Sequence, residues 1–283
     1  MASRELHLYF YSGASVIKNT GVDSSFPLLE EGLLKLDIIS VYGKSGNTQA
    51  EHFPDRIFSL LSGYIEEIEL FNDAYGLVKV KDRRELIVKH ILDSISPLGY
   101  IKRLLENRLP ALRGVPEDRK IRIADVGSGA GLPGIPLAIC MPQADFTLIE
   151  RMGRRAGFLR DAIAVLGLPN VRVEECEMEK YNVKREGSFN LVVFRAFRPL
   201  EPSILKGLYR LTAAAPNGVP EDGIIIAYKG RRESVEEEMA QVIEAARKGK
   251  GPPVGIWEVL PLDVPFLEEE RHLLVINKPK ETL

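Results

Sequence analysis

An α/β fold with a seven-stranded, mostly parallel sheet is predicted by three observations. Short apolar runs alternate with helix-length stretches from Ile121 onward, a glycine-rich turn follows the first run, and the last two runs lie close together. The runs are Ile121–Val126, Phe146–Glu150, Val171–Val173, Phe189–Phe194, Ile224–Tyr228, Ile256–Leu260 and Leu273–Ile276. The first five are separated by enough chain for crossover helices and therefore pair in parallel, whereas the last two are not and pair as an antiparallel hairpin at the sheet edge. Ahead of Ile121 the texture is helical. Arg56–Phe71 sets Ile57, Leu60, Leu61, Tyr64, Ile65, Ile68 and Phe71 on one 3.6-residue stripe, and Arg84–Ile95 does the same with Leu86, Ile87, His90, Ile91 and Ile95. Leu109–Lys120 reads as a surface connection and Gly43–Asn47 as a loop. The chain thus divides into an extension at 1–27 with no interpretable motif, an N-terminal helical region at 28–118 and an α/β domain at 119–283.

Composition bounds the function. A chain of 283 residues, 45% hydrophobic and 28% charged, suits one large globular unit with a smaller appendage. Cys140 and Cys176 lack C-x-x-C or His spacing, so reduced thiols are expected rather than a disulfide, and no metal site. Met1–Asn19 holds only Arg4 and Lys18 as cations and no apolar block of signal-peptide length, and no stretch approaches the roughly 20 apolar residues of a membrane span. A cytoplasmic monomer with no membrane partner is the expectation. The net charge of −2 weighs against a polyanion partner. Cations nevertheless cluster at Lys79, Lys81, Arg83, Arg84 and Lys89, at Arg151, Arg154, Arg155 and Arg160, and at Lys229, Arg231 and Arg232. The acidic runs Glu236–Glu238 and Glu268–Glu270 offset them on paper without necessarily offsetting them in space.

The chemistry concentrates in Ile121-Arg-Ile-Ala-Asp125-Val-Gly127-Ser-Gly129-Ala-Gly131-Leu132-Pro-Gly134. A buried strand enters glycines that permit a tight turn and let a ligand approach bare backbone at the start of a helix. Glu150 closes the second strand, where a carboxylate can accept from both hydroxyls of a ribose. Gly129-x-Gly131-x-x-Gly134 alone would also suit a dinucleotide. Asp125 argues against one, because a carboxylate beside the turn repels a pyrophosphate and suits S-adenosylmethionine, which is cationic and carries no phosphate. The antiparallel ending points the same way, toward a class I methyltransferase (Rossmann-like) sheet. Arg195, directly after the apolar Leu191–Phe194, sits at the strand edge where open α/β sheets bind ligands, or caps the sheet with a salt bridge.

The stretch Asp125–Leu137, with its Leu-Pro-Gly-Ile-Pro extension, resembles the donor loop of the RsmG (GidB) family nearly residue for residue. Asn72–Leu77 with His90–Ser94, Phe194–Phe197, Lys229-Gly230 and Glu270–Lys278 resemble further family segments in the same order. The resemblance spans roughly Leu28 to Lys280, with insertions near Leu98–Lys120 and Ala213–Asp222. It implies a methyltransferase that uses S-adenosylmethionine to modify N7 of a guanine in 16S ribosomal RNA of the 30S subunit. It implies donor contacts at Gly127, Leu132, Met178, Glu179 and Arg195, with Arg195 also positioning the acceptor. Gly76 stands where the family usually has Asn, Val78 where it has Thr, Phe194 where it has Ser, and Glu150 where Asp is frequent.

Guanine N7 has an in-plane lone pair at neutral pH, so no side-chain nucleophile or base is required, and none is evident. His90 and Asp93, one helical turn apart, read first as packing and capping residues and second as neighbours of the acceptor pocket. Lys79, Arg83, Arg84, Arg154 and Arg155 are the candidate phosphate contacts. Three other readings share the donor residues or the turn: a methyltransferase of a small molecule or protein, a non-catalytic donor-sensing RNA-binding module, and a dehydrogenase.

Overall fold

The computed structural model describes residues 25–38, 53–108, 121–212 and 223–279. The extension up to residue 24, Gly43–Asn47, Leu109–Lys120 and the insertion at Ala213–Asp222 lie outside them. Seven strands form one sheet: β1 (Arg122–Val126), β2 (Asp145–Ile149), β3 (Val171–Glu174), β4 (Leu191–Arg195), β5 (Ile224–Lys229), β6 (Trp257–Pro261) and β7 (His272–Asn277). Their order is β3-β2-β1-β4-β5-β7-β6. The first five are parallel, and β7 runs antiparallel between β5 and β6, so the expected fold class and edge hairpin are both present.

The helices are α1 (Ser25–Lys35), α2 (Phe53–Tyr75), α3 (Arg83–Leu86 continuing through Ile87–Leu92 and Asp93–Ile95), α4 (Leu98–Arg108), α5 (Gly134–Cys140), α6 (Gly153–Leu166), α7 (Val183–Glu186), α8 (Pro202–Leu211) and α9 (Arg232–Arg247). The middle of α3, Ile87–Leu92, is a π-helix: the Asp93 amide reaches back to the Val88 carbonyl, five residues earlier. Asp82 caps the start of α3 by accepting from the Glu85 amide at 2.7 Å.

Side chains on alternate residues of each strand face opposite sides of the sheet and enter two cores. Ile123, Leu191, Val193, Ile224 and Ile226 join one with the N-terminal helices, α5 and α6. Ala124, Val126, Val192, Phe194, Ile225 and Ala227 join the other, under α8 and α9. The α2 stripe docks as the spacing requires, with Ile57, Leu61, Tyr64, Ile65 and Ile68 fully buried, each contributing about 1.5–3 kcal/mol. Leu60 and Phe71 finish half-buried at its margins. The N-terminal helices therefore share the hydrophobic core of the sheet, and α3 meets the carboxyl ends of β4 and β5 through Asp93 and Ser94.

Candidate active site

The strand order reverses between β1 and β4, and in open α/β sheets ligands bind beyond the carboxyl ends of strands at such a switch point. Two adjoining cavities lie there. The larger, about 750 Å³, is lined by Gly127, Gly129 and Leu132 of the glycine turn, Arg195, and His90 and Asp93 of α3, among others. The smaller, about 230 Å³, is lined by Ile149, Glu150, Cys176 and Met178. Gly127, Arg155 and the segment Ala196–Arg198 border both, so the turn is the shared wall.

The turn is built from local backbone chemistry. Gly127 has φ +70°, and a Cβ there would lie 2.2 Å from the Phe197 ring, so a side-chain-free residue is required for Phe197 to pack over it. The Gly127 amide donates to the Ile149 carbonyl at 2.8 Å, tying the turn to β2. Tyr64 of α2, fully buried, donates its hydroxyl to the Ala130 carbonyl and fastens the turn to the helical layer. Both Glu150 oxygens are already engaged: Oε2 accepts from the Gly129 amide at 2.9 Å and Oε1 from the Met152 amide at 2.8 Å. The carboxylate is thereby fixed in orientation, and the second lone pair on each oxygen is left for a hydroxyl.

Asp125 is placed differently from the expectation of a group facing the ligand. It is fully buried beneath the turn and lines neither cavity; its Oδ2 accepts from the Gly134 amide at the start of α5, at 3.0 Å, while Oδ1 is enclosed with no hydrogen-bond partner. Burial pushes its pKa up to about 7, opposed by the Gly134 amide and Arg195. Any influence on a ligand acts through the turn as a field rather than by contact. The folded carboxyl holds its proton more tightly than an unfolded one, so its contribution to stability is full below about 3.8 and is lost as pH rises through about 7. Asp125→Asn should abolish that component: in denaturation across this window the variant should gain on the wild type with rising pH, then run level. A constant difference would refute the assignment.

Arg195 leaves the end of β4 and enters a buried polar cluster supplied by α3. Its Nη1 donates to Asp93 Oδ2 at 2.7 Å and to the Lys89 carbonyl at 3.2 Å, and Nη2 lies 2.9 Å from His90 Nδ1. Arg271 approaches the other Asp93 oxygen at 3.3 Å. Asp93 is 3% exposed, so this ion pair is shielded from solvent. Tyr228 completes the floor by donating to the Ser94 carbonyl at 2.8 Å. Burial, with Arg195 beside it, brings His90 down to about 4, so the imidazole is neutral at physiological pH.

Of the other residues expected at the site, Met178 is buried and borders the smaller cavity, whereas Glu179 turns to Arg198 at 3.1 Å on the rim and borders neither; Glu177 takes the lining position. Among the candidate phosphate contacts, Lys79 and Arg155 border the larger cavity, Arg84 borders a separate hollow beside Phe266, and Arg154 is exposed away from all three. Arg83 is committed to the fold, its Nε lying 2.8 Å and 3.0 Å from the two oxygens of Glu69 on α2. The acidic runs do offset their cations in space: Glu269 pairs with Lys89 at 2.9 Å, Glu238 with Lys229, and Glu236 with Arg232 at 3.1 Å. Gly76 has φ +59°, a conformation that Asn also tolerates. Phe194 packs edge-to-face against Phe197, with centroids 6.4 Å apart.

No helix among the described residues is long and apolar enough to cross a membrane. Residues 57–251 match the family model described as rRNA small subunit methyltransferase G (GidB). A Treponema denticola protein named ribosomal RNA small subunit methyltransferase G is 36% identical over 241 residues, covering 80% of this chain and 88% of its own. A protein of the same name from Yersinia pseudotuberculosis is 37% identical over 224 residues, covering 79% and 91%. Among solved structures, a putative O-methyltransferase from Klebsiella pneumoniae aligns with a TM-score of 0.47 at 14% identity, over 89% of this chain and 100% of that one. With its glycine turn, its sheet order and this breadth of match, the chain belongs to the rRNA small subunit methyltransferase G (GidB) family.

Proposed function

We propose that the chain transfers a methyl group from S-adenosylmethionine to N7 of a guanine in a loop of 16S ribosomal RNA, acting on the small subunit. The observation that carries this reading is the pair of cavities meeting at Gly127, one ending in the clamped carboxylate of Glu150 and the other bordered by Arg195, Lys79 and Arg155. The residues present fit the donor. Bare backbone at Gly127 allows close approach, Glu150 offers oriented acceptors to a ribose, Met178 offers an apolar wall, and the orphaned Asp125 oxygen below favours a cation above the turn. Bound there, the donor supplies an electrophilic methyl group.

The remaining chemistry is positioning. N7 needs no base, so the chain's residues act by holding the acceptor in line, which can supply about 7–11 kcal/mol. Arg195, immobilised by Asp93 and His90, presents a fixed cation to the incoming nucleotide. Guanine becomes cationic on methylation, and Asp93, which borders the cavity, offsets part of the repulsion from its partners Arg195 and Arg271. N7 lies on the major-groove edge, which side chains cannot reach in a regular A-form helix, so the acceptor base sits in a loop or leaves the stack.

The test is transfer of labelled methyl to unmodified 30S subunits, free nucleosides and protein extract in parallel. Label recovered as N7-methylguanosine from 16S RNA supports the reading. Label in protein or free nucleoside alone would replace the acceptor, and donor binding with no transfer to any of them would favour a donor-sensing module. Lys79→Ala should weaken RNA binding and reduce the slope of log affinity against log salt by about 1, with donor affinity unchanged. An unaltered slope would remove Lys79 from the phosphate contacts. Arg83 is unsuited to the same experiment, because its replacement breaks the α2–α3 ion pair.

A further inference from the structure

We propose that His90 reads the target base: its Nε2–H donates to O6 of the acceptor guanine, selecting guanine over adenine and setting N7 toward the donor. The inference rests on the guanine-N7 reading above and names the residue that enforces it.

His90 borders the larger cavity together with Gly127, Gly129 and Arg195. Its tautomer follows from its neighbour. A guanidinium can only donate, so the 2.9 Å contact from Arg195 Nη2 requires a lone pair on His90 Nδ1, and the single proton of the neutral ring is then on Nε2. Burial and the adjacent Arg195 keep the ring in that neutral form. Nε2 makes no hydrogen bond among the described residues and is not one of the enclosed, unpartnered polar atoms, and His90 lines the cavity. The π-helical stretch Ile87–Leu92 contains His90 and brings it beside Arg195, while Leu86, Ile87 and Ile91 stay in the core. Widened turns of this kind recur at functional sites.

The chemistry of the base supplies the rest. Guanine presents two acceptors side by side on its major-groove edge, N7 and O6, whereas adenine presents N7 beside an amino donor. An N–H donor directed at O6 leaves the N7 lone pair free for methyl transfer, and it meets another N–H when the base is adenine. Arg195 spends three of its five N–H groups on Asp93, the Lys89 carbonyl and His90, and by donating to Nδ1 it fixes the ring that presents Nε2–H.

The test compares wild type, His90→Asn and His90→Gln on small-subunit particles carrying either guanine or an analogue with hydrogen in place of O6 at the target. Asn keeps an acceptor near the Nδ1 position for Arg195 but has nothing at Nε2; Gln extends an amide N–H toward that place. Wild type should favour guanine in kcat/KM by about tenfold. His90→Asn should lose about tenfold on guanine and little on the analogue, collapsing the ratio, with donor Kd unchanged as a check on folding. His90→Gln should recover part of the ratio. Equal losses on both substrates, or a ratio preserved in His90→Asn, would overturn the proposal. Wild type that places no methyl on N7 of the guanine particle would instead bring down the parent reading, an outcome separate from these.

Discussion

Arg195→Met should lower the free energy of unfolding by about 3–5 kcal/mol, the range for removing one partner of a buried ion pair. The cost arises because Asp93, 3% exposed, loses its contact at 2.7 Å, with only Arg271 remaining at 3.3 Å. His90 Nδ1 and the Lys89 carbonyl lose a donor at the same time. Urea denaturation measures the loss, and a double variant, Arg195→Met with Asp93→Leu, should recover much of it by removing the stranded charge. A loss below about 1 kcal/mol, as for an exposed pair, would contradict the buried-cluster account. Under the proposed function, methyl transfer should fall in the single and the double variant alike, since stability returns without the cation that borders the cavity.

Gly127→Ala should cripple donor binding while the fold survives. The left-handed conformation at φ +70° costs an L-residue about 1–2 kcal/mol, and the added methyl forces the Phe197 ring out of its seat between the two cavities. Together these should weaken S-adenosylmethionine by at least about tenfold, measured by calorimetry. Pairing the change with Phe197→Ala separates the two causes: it relieves the collision and leaves the backbone penalty, so affinity should return in part. Wild-type affinity in Gly127→Ala would mean that the turn does not form the donor site.

The strands were legible in sequence because a buried strand needs a contiguous apolar run, and such runs have few other uses in a chain with this spacing. Their ends were less so. Phe189, expected within the fourth strand, packs instead against Tyr181 with its amide on the Leu211 carbonyl, and the Asn190 side chain accepts from the Arg122 amide, so ladder pairing begins at Leu191. The glycine turn and Glu150 were equally readable, because both lie at fixed offsets from strand ends. The role of Asp125 was not: its charge could be read, but its burial beneath the turn is a tertiary fact.

The Arg195 cluster was the hardest to foresee, since its members lie about a hundred residues apart, Arg195 pairing with Asp93 at |i−j| = 102. Sequence offered Arg195 as either ligand contact or sheet cap, and the geometry shows an ion pair at the strand edge that also borders the cavity. Arg83 and Lys89 show the converse limit. Cations adjacent in sequence looked like one patch, but Glu69, Glu85 and Glu269 draw them into structural pairs, leaving Lys79 and Arg155 facing the cleft.

The π-helical turn of α3 carries a consequence for how this segment tolerates insertions and deletions. Removing one residue between Ile87 and Leu92 would turn the widened turn into an ordinary α turn and leave both flanks on their faces, because the wide turn carries one residue more than an α turn over nearly the same rotation. The anchor Leu86 and the pair Asp93 and Ser94 would keep their directions, and the residues inside the turn, His90 among them, would lose their places beside Arg195. A one-codon loss here is accordingly gentler on the core than the same loss in a regular α-helix, which would swing one flank by about 100°, and its damage falls on the cavity wall.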